Sequence, residues 1–279
     1  MDYLVAVDSC GELTEAMKQS GHFVSVPLTI EVQDYHIVDD ETFDQKEFLR
    51  RVALSPEPPR SACPSPDAFR RIFEREADHL YAVTLSAELS GSCSSAQLGK
   101  ALCLEKHPEK KIHVFNSRSA SVGETLIGLK IQECEERGLS FEKVVETVEA
   151  YIDSQTTWFV LESLEALRKN GRLSHLKAAV ATVLSIKPVM MSTPGGNIQQ
   201  LCQVRGINRA LTRMVDNIVQ TYSHPSDRIL AIAHCNCQHR AEMVRKELCS
   251  RLKLKDSFIL DTQGISSLYA SDGGIIVVL

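Results

Sequence analysis

The stretch Val83-Thr84-Leu85-Ser86-Ala87-Glu88-Leu89-Ser90-Gly91-Ser92-Cys93-Ser94-Ser95-Ala96-Gln97 decides the fold. It begins as a short strand, Tyr81 to Leu85. It turns at Ser86, Ser90, Gly91 and Ser92, all small and mostly hydroxylic. A helix is predicted from about Ser92 to Glu105. A strand that feeds such a turn at a helix N-terminus carries free N–H groups, a positive dipole end and serine donors. Two readings follow. Ser90, Gly91 and Ser92 form an anion site, or Ser90 or Ser92 simply caps the helix while Gly91 allows the turn.

The same grammar repeats on either side. Leu4–Val7 is an apolar run that ends in Asp8-Ser9-Cys10-Gly11. Ile112–Phe115 ends in Asn116-Ser117-Arg118-Ser119-Ala120-Ser121, with a helix expected at about Gly123–Arg137. Ser140 caps a further helix, Phe141–Ser154. Short apolar strands, polar turns and helices in alternation predict a parallel, doubly wound sheet, which places ligands at the carboxyl ends of its strands.

Between the first strand and the central one lie less regular parts. Phe23–Leu28 reads as a strand. Thr29–Asp40 reads as a hairpin-like excursion with Ile30, Val32, Ile37 and Val38 inward. Thr42–Ala53 has helical spacing. Five prolines from Pro56 to Pro66 mark irregular chain. Ser65-Pro66-Asp67 then starts a helix cleanly. Ser61 stands just before it.

The chain changes character after Ser154. Thr157–Leu161 reads as a strand and Glu162–Lys169 as a helix stopped at Asn170-Gly171. A helix is expected over Ser174–Leu184. Ile186–Met191 is a strand containing Pro188, which calls for an edge or a bulge. Thr193–Asn197 turns into the return strand Ile198–Val204, closed by Arg205. Asn208–Tyr222 is an amphipathic helix. Ile229–His234, Phe258–Leu260 and Gly273–Leu279 complete the strands, with a helix at Arg240–Leu252. A hairpin among alternating units predicts a mixed sheet. The expected division is therefore 1–155 and 156–279.

Composition narrows the function. The chain has 279 residues and a net charge of −5, with a pI near 6.0. That is no footprint for nucleic acid. No stretch approaches a membrane span, and the start lacks the pattern of a secretory signal, so a cytoplasmic protein without stable membrane insertion is expected. Nine irregularly spaced cysteines should be reduced thiols there. His234-Cys235-Asn236-Cys237-Gln238-His239 has ligand types but no second cluster to close a tetrahedral site, so no metal is expected. Gly91, Gly99 and Lys100 fail the spacing of a phosphate loop. Ser90 lacks the flanking glycines of a nucleophile elbow. Hydroxyls and arginines in loops, without a reaction centre, favour binding over catalysis.

Taken in order, these segments resemble the DegV family of bacterial lipid-binding proteins. The resemblance covers nearly the whole chain. It rests on Val7-Asp8-Ser9, on Ser61-Ala62-Cys63-Pro64-Ser65 and on Leu85-Ser86-Ala87-Glu88-Leu89-Ser90-Gly91-Ser92. Asn116-Ser117-Arg118-Ser119, Leu164-x-x-Leu167-x-x-x-Gly171-Arg172-Leu173, Ile186-Lys187-Pro188-Val189 and Val204-Arg205 extend it. It implies two α/β domains with a long-chain fatty acid buried between them, and no cofactor beyond that ligand. It also implies a separate ATP-dependent fatty acid kinase subunit as partner for some members. The hydroxyls that hold the head group would be Ser61 and Ser90, beside Gly91 and Ser92. Arg172 and Arg205 would belong to the site mouth and the partner surface.

The chain departs from the pattern in places. Ser61 stands where threonine is usual, and Ala62, Cys63 and Asn116 replace Ser, Gln and Asp. The family's A-H-T-G-x-G reads Ala270-Ser271-Asp272-Gly273-Gly274, so the supporting histidine is Ser271. The lost histidine keeps a lipid sensor without a kinase role in view. A Ser90- or Cys63-dependent acyl hydrolase or transferase is the alternative from another class, and it would need a nearby base. A chain of about sixteen carbons gains roughly 0.8 kcal/mol per buried methylene, about 11 kcal/mol gross, before ordering costs.

Overall fold

The structure, a computed structural model, describes residues 2–174, 185–222 and 225–279. The first part of the chain runs β1 (Tyr3–Asp8), α1 (Glu15–Ser20), β2 (Phe23–Val26), β3 (Thr29–Val32), β4 (Tyr35–Val38), α2 (Gln45–Leu54) and β5 (Arg60–Ala62). It continues with α3 (Pro66–Phe73), β6 (His79–Thr84), α4 (Ser92–Lys106), β7 (Lys111–Asn116), α5 (Val122–Glu136) and α6 (Phe141–Ser154). After these come β8 (Thr157–Val160), α7 (Glu165–Lys169), β9 (Ile186–Ser192), β10 (Ile198–Arg205) and α8 (Ile207–Thr221). The last elements are β11 (Ile229–His234), α9 (Gln238–Arg251), β12 (Asp256–Asp261), α10 (Gly264–Ala270) and β13 (Ile275–Val278).

The expected α/β class holds. A four-stranded sheet of order β2-β1-β6-β7 is parallel throughout. Its central strands β1 and β6 are buried on both faces, so each reads as a nearly continuous apolar run. Alternate residues serve opposite layers. Leu4, Ala6, Leu80 and Ala82 pack on Phe69 and Phe73 of α3 and on Ala96 and Cys103 of α4. Val5, Val7, Tyr81 and Val83 pack on Ile127 and Ile131 of α5 and on Val144 and Val148 of α6. The sheet is thus doubly wound. Gly99 lets α4 approach α3: a Cβ there would stand 2.6 Å from the Pro66 carbonyl oxygen.

The second sheet has six strands in the order β10-β9-β8-β13-β11-β12. It is mixed, since β11 pairs parallel with β12 and antiparallel with β13. Trp158, Val160, Ile232 and Val277 face α8 and α9. Phe159, Leu161, Ala233, Ile276 and Val278 face the other way, onto Val122 and Leu126. Helix α5 therefore packs on both sheets. Val122 through Gly128 are all buried, and so the helix shows no polar face in its first half.

Pro188 sits in an interior strand. It lies beyond the part of β9 that pairs with β8, where only Trp158 and Phe159 find partners in Met191 and Met190. The expected irregularity appears in the partner strand, as a register shift between Gln200 and Cys202 of β10.

A third sheet, β4-β3-β5, is a small antiparallel clasp. The hairpin was expected; β5 was not, because its three residues lie in the proline-rich segment. Ile30 and Val32 are buried, but Val38 is 46% exposed. Neighbouring residues of a strand point to opposite faces, so Ile37 and Val38 cannot both turn inward. Helix α10, also absent from the sequence reading, is buried almost all round and has no amphipathic period to read. The helix expected over Ser174–Leu184 lies outside the described residues apart from Ser174, which is in a turn. Among the described residues no helix is long and apolar enough to cross a membrane.

Candidate functional site

A cavity of about 830 Å³, counted with the solvent at its opening, lies where the carboxyl-end loops of the parallel sheet meet the mixed sheet. Leu28, Leu85 and Leu89 line it from the first side, and Phe159, Leu161, Leu167, Ile198 and Ile276 from the second. Ile265, Tyr269 and Ala270 of α10 close it between them. Its wall is mainly apolar, as the walls of small-molecule sites are.

The polar groups fall into two sets. In the first, the Ser61 and Tyr269 hydroxyl oxygens stand 2.9 Å apart. Ser61 is placed by β5, where it pairs with Ile30 of β3. Arg172 donates from Nε to the Leu89 carbonyl at 3.1 Å and from Nη1 to the Asn170 carbonyl at 2.7 Å. Those bonds hold its guanidinium 5.6 Å from the Tyr269 ring centre. Ser90 follows Leu89, and its Oγ accepts the Ser92 N–H at 3.2 Å. Among the described residues no carboxylate pairs with Arg172.

The second set surrounds Arg118. Its Nη1 donates to Asp153 at 2.7 Å, and Nη2 lies 3.8 Å from Glu149. Its charge is compensated. The nearby hydroxyls are spent on protein partners: Ser119 shares a hydrogen bond with Thr157, Ser121 donates to Glu12, and Ser266 donates to the Cys10 carbonyl. The β9–β10 turn closes this side. Gly196, at φ +90°, accepts the Ser86 hydroxyl on its carbonyl at 2.8 Å, and Asn197 donates to Glu88 at 2.7 Å.

Ser61, Ser90 and Arg172 thus line one cavity. Gly91 and Ser92 sit beside it at the start of α4. Gly91 is the N-cap residue, with Ser90 supplying an acceptor to the first turn. Both readings of that turn therefore share Ser90. Ser92 is fully buried and supplies a hydrogen bond that steadies the Asp8 carboxylate. Ser271 closes α10 in the left-handed region at φ +58° and does not line the cavity. Asp272 is exposed and accepts from Asn236. Arg205 is exposed at the end of β10, away from the lining.

Sequence reasoning missed Tyr269, which no motif marked. It also missed a set of acids under the cavity floor, since sequence does not show burial. Glu124 is pushed well above the ordinary carboxylate range, first by burial and then by the neighbouring Asp8 charge. Asp8 is raised by burial, but the Leu85 and Cys10 N–H groups and the Ser92 hydroxyl favour its ionised form. Both Glu124 carboxyl oxygens are buried without a hydrogen-bond partner among the described residues. Burial lifts Glu12 to about 7, with the Ser266 and Ser121 hydroxyls pulling the other way. Asp39 is lifted to about 6 for the same reason, against donors from Ile265, Ser9 and Gly264. Among the described residues no group of three or more His, Cys, Asp or Glu side chains is placed to hold a metal ion, the His234-to-His239 segment included.

A parallel sheet and a mixed sheet joined through one shared helix, with an apolar cavity held between them, define the class of α/β protein. The chain belongs to the DegV family, whose model, described as an uncharacterised protein family, matches residues 3–278. A DegV domain-containing protein of Streptococcus pneumoniae (strain ATCC BAA-255 / R6) is 38% identical over 258 residues, covering 91% of this chain and 90% of the relative. A DegV family protein from Ruminococcus gnavus, solved with vaccenic acid, superposes with a TM-score of 0.97 at 53% identity, over 100% of this chain and 99% of that one. A DegV family protein from Eubacterium eligens, loaded with heptadecanoic acid, gives 0.91 at 27% identity, over 99% and 98%. The Streptococcus pneumoniae Fatty Acid Kinase (Fak) B3 protein, loaded with linoleic acid, gives 0.86 at 36% identity, over 100% and 99%.

Proposed function

We propose that the chain binds one long-chain fatty acid in this cavity. The acyl chain runs along Phe159, Leu161 and Ile276, and the carboxylate sits at the end formed by Ser61, Ser90 and Arg172. One observation carries the reading: an apolar cavity contains an arginine that no described carboxylate neutralises. A half-buried cation in an apolar wall favours an anion, and a buried carboxylate calls for donors. Arg118 makes no such demand, because Asp153 and Glu149 already face it. The fatty acids held by the solved relatives support the same ligand class.

The finer reading is a carrier rather than an enzyme, needing no cofactor besides its ligand. It presents the carboxylate to a separate ATP-dependent fatty acid kinase subunit, with Arg172 and Arg205 on the docking side. The likeness to the pneumococcal Fak B3 protein supports this part. The two sheets are read as domains 1–155 and 156–279 of a cytoplasmic protein.

Native mass spectrometry of the purified protein, followed by lipid extraction, tests the ligand. One fatty acid per chain is expected. A protein that is empty and also refuses added oleic acid would end the reading. Formation of an acyl phosphate from the loaded protein, ATP and a purified kinase subunit tests the partner role.

A further inference from the structure

Resting on the fatty-acid reading, we propose that Tyr269 is a head-group residue: its phenol and the Ser61 hydroxyl grip the two oxygens of the ligand's carboxylate. The resemblance assigns supporting work at this end of the chain to position 271. There the backbone is in the left-handed region and the residue caps α10, outside the cavity wall. Tyr269, two residues earlier, is the α10 side chain that brings a hydroxyl to Ser61.

The local chemistry suits that task. Two hydroxyls 2.9 Å apart share one hydrogen bond, which leaves one O–H hydrogen undirected. A carboxylate entering between them receives both hydrogens, one on each oxygen. It replaces one neutral hydrogen bond by two charge-assisted ones. Arg172 positions the ring. Its guanidinium is fixed by the Leu89 and Asn170 carbonyls and lies over the aromatic face. Its charge also favours an anion at the phenol oxygen. The ring contributes apolar wall on one side and a donor at its tip. The site therefore discriminates by head group: an acid uses both hydroxyls, and an alcohol of the same length gains much less.

The test uses delipidated full-length protein with oleic acid and with cis-9-octadecen-1-ol. Wild type should bind the acid at least about tenfold more tightly than the alcohol. Tyr269→Phe keeps the ring under Arg172 and removes only the hydroxyl. It should lose about tenfold or more in acid affinity, with alcohol affinity held within about twofold. Ser61→Ala combined with Tyr269→Phe should cost at least the sum of the two single changes, because each hydroxyl serves its own carboxylate oxygen. In tyrosine labelled with carbon-13 at Cζ, the Tyr269 resonance should move on adding one equivalent of oleic acid and not on adding the alcohol. That readout stands even if the variant fails to fold. Acid binding unchanged in Tyr269→Phe, or a Tyr269 resonance indifferent to oleic acid, would overturn the proposal and leave the lipid site intact. Wild type that binds neither compound would overturn the fatty-acid reading itself, and this proposal with it.

Discussion

Asp39, at the end of the β3–β4 hairpin, accepts the Gly264 N–H at 2.7 Å on Oδ1. Its Oδ2 accepts the Ile265 N–H at 2.9 Å and the Ser9 hydroxyl at 2.8 Å. One buried carboxylate thus ties the small clasp sheet and the end of β1 to the start of α10. It satisfies two helix N–H groups that have no partner within the helix. Asp39→Ala removes all three bonds. It should cost about 2 kcal/mol or more of stability in denaturant unfolding, since buried donors are left unpaired. Because α10 carries Ile265, Tyr269 and Ala270 into the cavity, ligand affinity should fall with it.

Glu12 supplies a pH dependence. The folded protein raises it from 4.5 to about 7, so the native state holds this proton more tightly than the unfolded chain. The stability that the proton gives is complete below 4.5 and is lost as pH rises through about 7. Asp39, raised from 3.8 to about 6, adds a loss of the same sign at lower pH. Unfolding free energy should therefore decline between about pH 5 and pH 8. Glu12→Gln keeps an oxygen acceptor for Ser121 and carries no charge. It should flatten this slope and be the more stable protein at about pH 8, by up to roughly 3 kcal/mol. A variant with the wild-type slope would show that Glu12 is not the source.

Gly196→Ala should be poorly tolerated. The glycine sits at φ +90°, and a Cβ would stand 2.3 Å from Ser86 Oγ and 2.8 Å from Arg118 Cα. Strain of about 1–3 kcal/mol at the backbone adds to that collision. The cheapest relief is withdrawal of the β9–β10 turn from the loops of the parallel sheet. Faster ligand release should accompany a lower melting temperature, readable by stopped-flow displacement of a fluorescent fatty acid.

The two arginines distinguish the ends of the cavity. Arg172→Gln should weaken oleic acid binding by about tenfold or more, the worth of a charge-assisted contact in a dry site. Arg118→Gln should change it by no more than about threefold, because that guanidinium is held by Asp153 and Glu149 near the surface. Isothermal titration of both variants decides the orientation, and the opposite ranking would reverse the ligand.

The parallel sheet was legible because its physics is local. Apolar runs closed by polar turns mark β1, β6 and β7, and Ser65 and Ser140 cap α3 and α6 through their side chains as expected. The elements that escaped are those held by tertiary contacts. Strand β5 exists because β3 offers it an edge, and α10 because Asp39 and the surrounding core enclose it. The site divided in the same way. Ser61 stands just before the clear start of α3, and Ser90 stands in a recognisable turn. Tyr269 lies in a segment with no period and no motif, and the acids at positions 12 and 124 look like any surface carboxylates until the fold buries them.

Helix α5 has a consequence for traffic. Its first half is enclosed on every side, with Ile127 and Ile131 in one core and Val122 and Leu126 in another. A molecule built around such an axle does not open like a book to take on or give up cargo, because swinging the sheets apart would tear two cores at once. Loading and unloading are left to short, separately breakable fastenings such as Gly196 on Ser86 and Ser61 on Tyr269. On the proposed function, the dwell time of a bound fatty acid then depends on these small latches rather than on the stability of the whole.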